Sequence, residues 1–431
     1  MSFFLVLNRF AQSRLSQCLG GAALLMLSLS AQANNGLNAI GYSTESLAMG
    51  GADLALAQDP SALNSNPAGL SQLGTKRLDF QLAGAYALGV SHRDNLGNDL
   101  PTGNQYILLG TSSYAQPASE KLTWGIGMFA QGGAGYEYFG LRTAFGSTDS
   151  LESHLGLLKL SAGGAYAVDS KLSLGASLGL VYGSLDQRIF PNTSDLASSF
   201  FGFGVNNAHG AGLGFKVGLQ FHPNQQETWG LAYTSPTNLT LYSNDLLSNQ
   251  TALGFGMVRY TDVKMSGIGL PQEIGIAYAR QATPKFLWTA ELNWLNWSAA
   301  MKTSTLTASQ PDNPGSPDFS ITSVNNWRDQ YVLAIGTAYS LSDHVIWRAG
   351  YNYGRNPIPD KTLNPLLASI AEHHLTTGLG IELDKHWLTN ISLQYNVLKT
   401  VNYKNTTLPL GTDAQERNEV LALYWSISRL W

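Results

Sequence analysis

Glu45–Leu70, reading ESLAMGGADLALAQDPSALNSNPAGL, is apolar but built from small residues: Ala48, Gly50, Gly51, Ala52, Ala55 and Ala57. Its larger side chains stop at Leu47, Met49 and Leu54. Such a stretch cannot make a core alone, but it can fill a lumen where backbone must approach a wall closely. Asp59-Pro60-Ser61-Ala62 predicts one capped helical turn, with proline at the first helical position. Asn66-Pro67-Ala68-Gly69 predicts a turn in which Asn66 bonds to nearby backbone and Pro67 fixes φ.

On its N-terminal side, residues 1–33 read as an export signal. Arg9 and Arg14 supply positive charge, Leu19–Leu29 is the apolar centre, and Ala31-Gln32-Ala33 fits small-x-small cleavage. The apolar run is too short to span a bilayer. The single cysteine, Cys18, falls inside the signal, so the expected mature chain has no disulfide and is no stapled secreted scaffold.

On its C-terminal side the chain alternates with period two. Leu172, Leu174, Ala176, Leu178, Leu180 and Tyr182 share one face, opposite Ser173, Gly175, Ser177, Gly179 and Gly183. Ile391, Leu393, Tyr395 and Val397 likewise oppose Asn390, Ser392, Gln394 and Asn396, and Trp347 and Tyr351 oppose Arg348 and Asn352. A soluble sandwich also alternates. Three features favour a membrane barrel: strands near ten residues or longer, aromatics near strand ends (Tyr86, Trp124, Tyr166, Trp229, Trp288, Trp387), and connections alternating short and long. The pattern predicts strands over 78–91, 105–117, 122–132, 157–168, 171–186, 212–222, 227–241, 272–282, 286–300, 328–340, 345–355, 372–384, 387–401 and 417–431. That is an even number, as single-chain outer-membrane barrels require.

Composition agrees. Of 431 residues 44% are hydrophobic and only 13% charged, about half the globular norm, and mean hydropathy is −0.06. A net charge of −4 without a basic run gives no footprint for nucleic acid.

The run AMGGA…DPSALNSNPAGL resembles the N-terminal hatch of the FadL/TodX (OMPP1) family of outer-membrane channels for long-chain fatty acids and other hydrophobic molecules. The resemblance continues through Leu270-Pro271, AELNWLNWSA at Ala290–Ala299, Asn326-Trp327-Arg328-Asp329, WRAGYNYGRNPIP at Trp347–Pro359 and His373-His374-Leu375. It implies an all-β fold: a fourteen-stranded antiparallel transmembrane β-barrel, residues 76–431, plugged by a hatch, residues 34–75. Asn66, Pro67, Ala68 and Gly69 carry the hatch signature. It also implies an apolar capture groove in the third and fourth external loops, and sideways release of ligand past a kinked third strand.

The residues offer material for each. Leu196–Val205 and Leu246–Val258 read as long loops bearing apolar side chains that water should exclude: Leu196, Phe200, Phe201, Phe203, Leu253, Phe255 and Met257. They either cap the barrel or line the groove. Gly132, Gly133 and Gly135 crowd the third strand, where glycine marks a bulge or kink. Arg348 and Lys159 are the inward cations that would hold a carboxylate, while inward Glu291 and Glu382 suit a salt-bridge lattice that stiffens the barrel.

No nucleophile elbow, metalloprotease motif or phosphate loop occurs, so neither an enzyme, a metal site nor a cofactor is expected. The expected function is passive uptake of long-chain fatty acid by a monomer embedded in outer-membrane lipid. A monoaromatic hydrocarbon or alkane importer is the alternative within the family. An adhesin or phage-receptor barrel is the alternative outside it, disfavoured by the phenylalanine-rich loops.

Overall fold

The computed structural model describes residues 35–431; the expected signal lies outside the described residues. Fourteen strands form the wall: β1 Arg77–Ala87, β2 Tyr106–Pro117, β3 Leu122–Arg142, β4 Thr148–Ala167, β5 Leu172–Asp195, β6 Phe200–Asn224 and β7 Glu227–Thr234. They continue as β8 Glu273–Thr283, β9 Phe286–Leu295, β10 Gln330–Ser342, β11 Val345–Gly354, β12 His373–Asp384, β13 Trp387–Lys404 and β14 Asp413–Leu430. Each pairs antiparallel with the next, and β1 pairs with β14 from Arg77↔Leu430 to Ala87↔Val420, which closes the barrel. All fourteen strands expected from alternation are present.

Alternation places the side chains as expected. On β5, Ser173, Ser177 and Val181 are buried, while Leu174, Leu178, Leu180 and Tyr182 face out. The outward set faces lipid. Trp124, Tyr166, Trp229, Trp347 and Trp387 stand exposed at the short-turn end, where amphipathic rings suit an interface. Among the described residues no helix is long and apolar enough to cross a membrane.

At the long-loop end the sheet continues outward. Gly256–Leu270 pairs with Thr237–Ser243, Leu246–Gln250 and Thr303–Pro311, and Ser91–Asp94 pairs with β14. Two segments expected as loops are therefore largely strand. β5 and β6 turn over at 196–199, and a single 3-10 turn, Thr251–Leu253, ends in left-handed Gly254. The reason is that Phe201, Phe203 and Val205 prolong the two-residue period, and Leu246↔Val205 pairing supplies their backbone partners.

Residues 35–75 sit inside the barrel. One short helix, α1 (Thr44–Ala48), is capped by Ser43, whose side chain accepts from Ser46 N. The Pro60–Leu63 turn is capped by Asp59, at 2.7 Å from Ser61 N. Pro67–Gln72 is capped by Asn66, at 3.2 Å from Ala68 N. Both turns form where the sequence predicts them.

Candidate functional site

The hatch is seated by backbone contacts that only small residues permit. A Cβ on Gly218 would lie 1.9 Å from Asn66 Oδ1, one on Gly175 2.3 Å from Ala68 N, and one on Gly350 2.2 Å from Gly50 N. Asn66 is fully buried; its Nδ2 donates to Leu54 O (2.7 Å) and to Leu219 O on β6 (3.1 Å). Around the ring, Ser177 Oγ donates to Leu63 O (2.7 Å), Asn352 Nδ2 to Gly50 O (2.9 Å), and Thr376 Oγ1 to Ala48 O (3.1 Å). Glu291 does face inward, but instead of a wall lattice it accepts the hatch's Leu54 N at 2.8 Å. Glu382 does not reach the lumen: it is exposed near the short turn beside His344, past the end of the chamber.

The wall has one weak seam. β1 and β2 stay paired up to Tyr86↔Tyr106, but β2 and β3 are paired only from Pro117↔Thr123 to Ser112↔Met128. Beyond it Ala130 N reaches across to Thr111 Oγ1 at 3.5 Å, and the gap closes again where Gly103 N donates to Glu137 O (2.7 Å) and Arg142 N to Asn98 Oδ1 (2.8 Å). β3 bulges in this gap, between Ala130 and Gly132. The hatch's leading segment fills the seam: Ala39 N donates to Gln131 O (3.2 Å) and Gly133 N to Leu37 O (3.0 Å). Gly132 has φ +156° and Gly133 +138°, and a Cβ on Gly132 would lie 1.8 Å from Leu37 O. Gly135 lies in regular pairing with His154.

Above the hatch the lumen turns apolar. Below, the inward residues of β4 and β5 are Ser161, Ser173 and Ser177; above, they are Leu157, Leu155, Val181 and Leu185. These merge with Tyr136, Tyr138, Leu239, Leu241, Trp297 and Trp327 into one buried apolar cluster. Lys159 on β4 and Lys216 on β6 stand at the boundary, only 5% and 6% exposed. Gly179 between them leaves the space that Lys159 occupies, since a Cβ there would lie 2.3 Å from its Cε. Neither ammonium has a hydrogen-bond or ion-pair partner among the described residues. Lys216 lines a cavity of about 70 Å³ with Tyr42, Asn64, Glu273 and Glu291.

The sequence paired Lys159 with Arg348, and the structure separates them. Arg348 lies beneath the hatch and is occupied: its Nη2 is 3.0 Å from Glu45 Oε2 and its Nη1 donates to Asn390 Oδ1 at 3.3 Å. The cation missed was Lys216, although its strand parity points it inward with Gly218 and Gln220. The expected capture residues divide as well. Phe203 is buried in the apolar cluster, Phe200 and Phe255 pack against it, and Phe201 is half-buried. Leu196, Leu253 and Met257 are exposed at the rim.

Sequence reading also missed an inserted segment. Residues 355–372, between β11 and β12, fold into the lumen, burying Ile358, Leu363, Leu366 and Ile370. Ser369 Oγ donates to Gly36 O (2.6 Å), so this segment touches the hatch. Its signal was present: PIPDKTLNPLLASIA is too apolar for a loop in water.

A closed barrel with an apolar belt, a plug and a buried apolar cluster above it defines an outer-membrane channel for hydrophobic compounds. The chain belongs to the outer membrane protein transport protein family (OMPP1/FadL/TodX), whose profile matches residues 24–426. It resides in the Gram-negative outer membrane. Among its relatives is the long-chain fatty acid transport protein of Escherichia coli O157:H7, 20% identical over 383 residues, which cover 79% of this chain and 82% of that protein. Of solved structures, the toluene transporter TodX of P. putida superimposes with a TM-score of 0.73 at 20% identity, covering 91% of this chain and 99% of that one. A Pseudomonas aeruginosa FadL homologue gives 0.72 at 15% identity, covering 92% and 99%.

Proposed function

We propose that this chain imports long-chain fatty acids, with Lys159 and Lys216 holding the carboxylate and the apolar chamber holding the tail. The supporting observation is the pair of buried lysines, neither hydrogen-bonded nor ion-paired among the described residues, where the lumen changes from polar to apolar. Asp53, Glu273 and Glu291 share the cavity with Lys216, but neither ammonium is directly paired, so each keeps its donors for an anionic guest. Each tail methylene moved from water into the chamber contributes about 0.8 kcal/mol. Passage is downhill: capture by the exposed apolar rim of Leu196, Leu253 and Met257, passage by Phe200, Phe203 and Phe255 to the lysines, and sideways release through the β2–β3 seam once Leu37–Ala39 leaves it. Release into surrounding lipid keeps the tail out of water at every stage, and a single self-closed barrel suffices.

The binding test uses purified protein titrated with oleate and with toluene. The Lys159→Met/Lys216→Met variant is expected to lose oleate affinity and keep toluene. Equal oleate affinity in wild type and variant would refute the carboxylate site.

A hydrocarbon cargo is the second reading, supported by the large buried apolar cluster above the hatch and by the solved relatives described as toluene transporters. Under that reading toluene binds and oleate does not.

A further inference from the structure

Beyond the ring of hydrogen bonds that seats its middle, the hatch is held differently at its leading segment and at α1. Its leading segment, Leu37–Ala39, is attached to β3 by backbone bonds in the seam and to β8 by a single side-chain bond, Asn38 Nδ2 donating to Glu273 Oε1 (2.5 Å). Its α1 end is attached by charge. Glu45, in the first turn of α1, places Oε1 2.7 Å from Arg77 Nη2 and Oε2 3.0 Å from Arg348 Nη2. Arg77 opens β1 and Arg348 lies on β11, so one carboxylate ties the two ends of a five-strand arc, β11–β12–β13–β14–β1. Both arginines are buried and held in turn, Arg77 by Asp79 (2.8 Å) and Arg348 by Asn390 (3.3 Å). Thr44 Oγ1 donates to Gln81 Oε1 (2.8 Å) beside them. Within this arc α1 lies so close to the wall that a Cβ on Gly378 would meet Ala48 Cβ at 2.8 Å.

Next to the clamp, a cavity of about 210 Å³ lies between hatch and wall, lined by Glu45, Met49, Leu56, Gln58, Lys285 and Arg348. Lys285 belongs to a short turn, so this cavity lies at the periplasmic end, on the straight route through the barrel. Without the clamp, that route is where water and ions would pass.

We propose that Glu45 is a positioning residue that keeps the hatch an axial seal while its leading segment moves: the doubly held carboxylate anchors α1, so opening at the seam does not open the lumen to the periplasm. The proposal rests on the sideways-release reading of the proposed function. Backbone bridges in the seam exchange with modest cost, whereas taking the half-buried Glu45 carboxylate away from Arg77 and Arg348 strips two buried guanidinium groups of a partner, which is more strongly disfavoured. The two contacts thus divide the labour of moving and sealing.

The test measures potassium chloride conductance in planar bilayers and labelled oleate uptake by cells for the same set of full-length variants. Glu45→Gln removes the charge and keeps the shape; Glu45→Asp keeps the charge. Glu45→Gln is expected to raise conductance about tenfold or more while uptake stays within about twofold of wild type, and Glu45→Asp to fall near wild type. A chain lacking the hatch sets the fully open conductance. Wild-type conductance in Glu45→Gln overturns the seal, and so does a joint rise in conductance and loss of uptake, because the two functions would then not be separable. A merely structural loss would move Glu45→Asp and Glu45→Gln together, which also overturns it. A further variant lacking Gln131, the extra residue of the β3 bulge, isolates the underlying reading. If uptake survives that deletion, sideways release falls, and the conductance comparison still decides the seal.

Discussion

Under the proposed function, cargo selection turns on Lys159 and Lys216. Each charge-assisted contact to a carboxylate is worth roughly 1.5–3 kcal/mol, so either single Lys→Met change should weaken oleate binding about tenfold to a hundredfold. Titration calorimetry with oleate and toluene separates this from a general loss of fold, because toluene affinity should hold. Asn66 makes the second residue-scale prediction. Asn66→Ala deletes bonds to Leu54 O, Leu219 O and Ala68 N in a fully buried site, at a cost of about 2–4 kcal/mol to hatch docking. Gly218→Ala pushes a methyl into Asn66 Oδ1 and should cost about 1–3 kcal/mol by overpacking. Protease cleavage within 35–75 should accelerate in both. Cleavage at the wild-type rate would mean that the hatch is held elsewhere.

At the scale of elements, β3 and the long-loop end carry distinct predictions. Deleting Gln131 should restore regular β3–β4 pairing, draw β3 towards β2, and cut uptake by about tenfold or more. Unchanged uptake would exclude the seam as the exit. At the other end, His92 is buried between Glu416, 2.6 Å from Nδ1, and Asp94, 3.4 Å from Nε2. Burial opposes its charge, but the hydrogen bonds to Asp94 and Glu416 outweigh that, and its pKa rises to about 9. Because the folded value lies above the usual 6.5, this clamp contributes fully below about pH 6.5 and is lost as pH rises through about 9. Its contribution is of the order of 3 kcal/mol at most. Hydrogen exchange, taken relative to the intrinsic rate at each pH, should therefore quicken in 91–101, 405–413 and the outer end of β14 above about pH 9, with the rest of the barrel strands unaffected. His92→Gln should show the faster exchange already at pH 6.

At the scale of the whole molecule, the barrel was legible because its physics is periodic. Every strand must bury one face in the lumen and show the other to lipid, so Leu174 against Ser173 and Ile391 against Asn390 state the fold locally. The hatch was legible because glycine, alanine and Asn-Pro caps are what a plug pressed on a wall needs. The site was legible only in part. Parity showed that Arg348 and Lys159 point inward, but not their height in the barrel. That height leaves Lys159 facing the chamber and gives Arg348 to Glu45, beneath the plug. Residues 355–372 were hidden for a related reason: a segment without period gives no direction, and only its apolar content marks it as buried. The same holds for the outer ends of β5 and β6, where apolar residues read as loop are paired strand.

The most direct measurement is uptake of labelled oleate by Gram-negative cells that lack their own fatty acid importer and express this chain, wild type beside Lys159→Met/Lys216→Met. Lipopolysaccharide blocks passive passage there, so any signal belongs to the protein. Saturable uptake with wild type, reduced about tenfold or more in the double variant, is the predicted result. Uptake no greater than in cells without the protein would contradict fatty acid import. Uptake that the double variant leaves untouched would contradict the carboxylate site at the foot of the chamber.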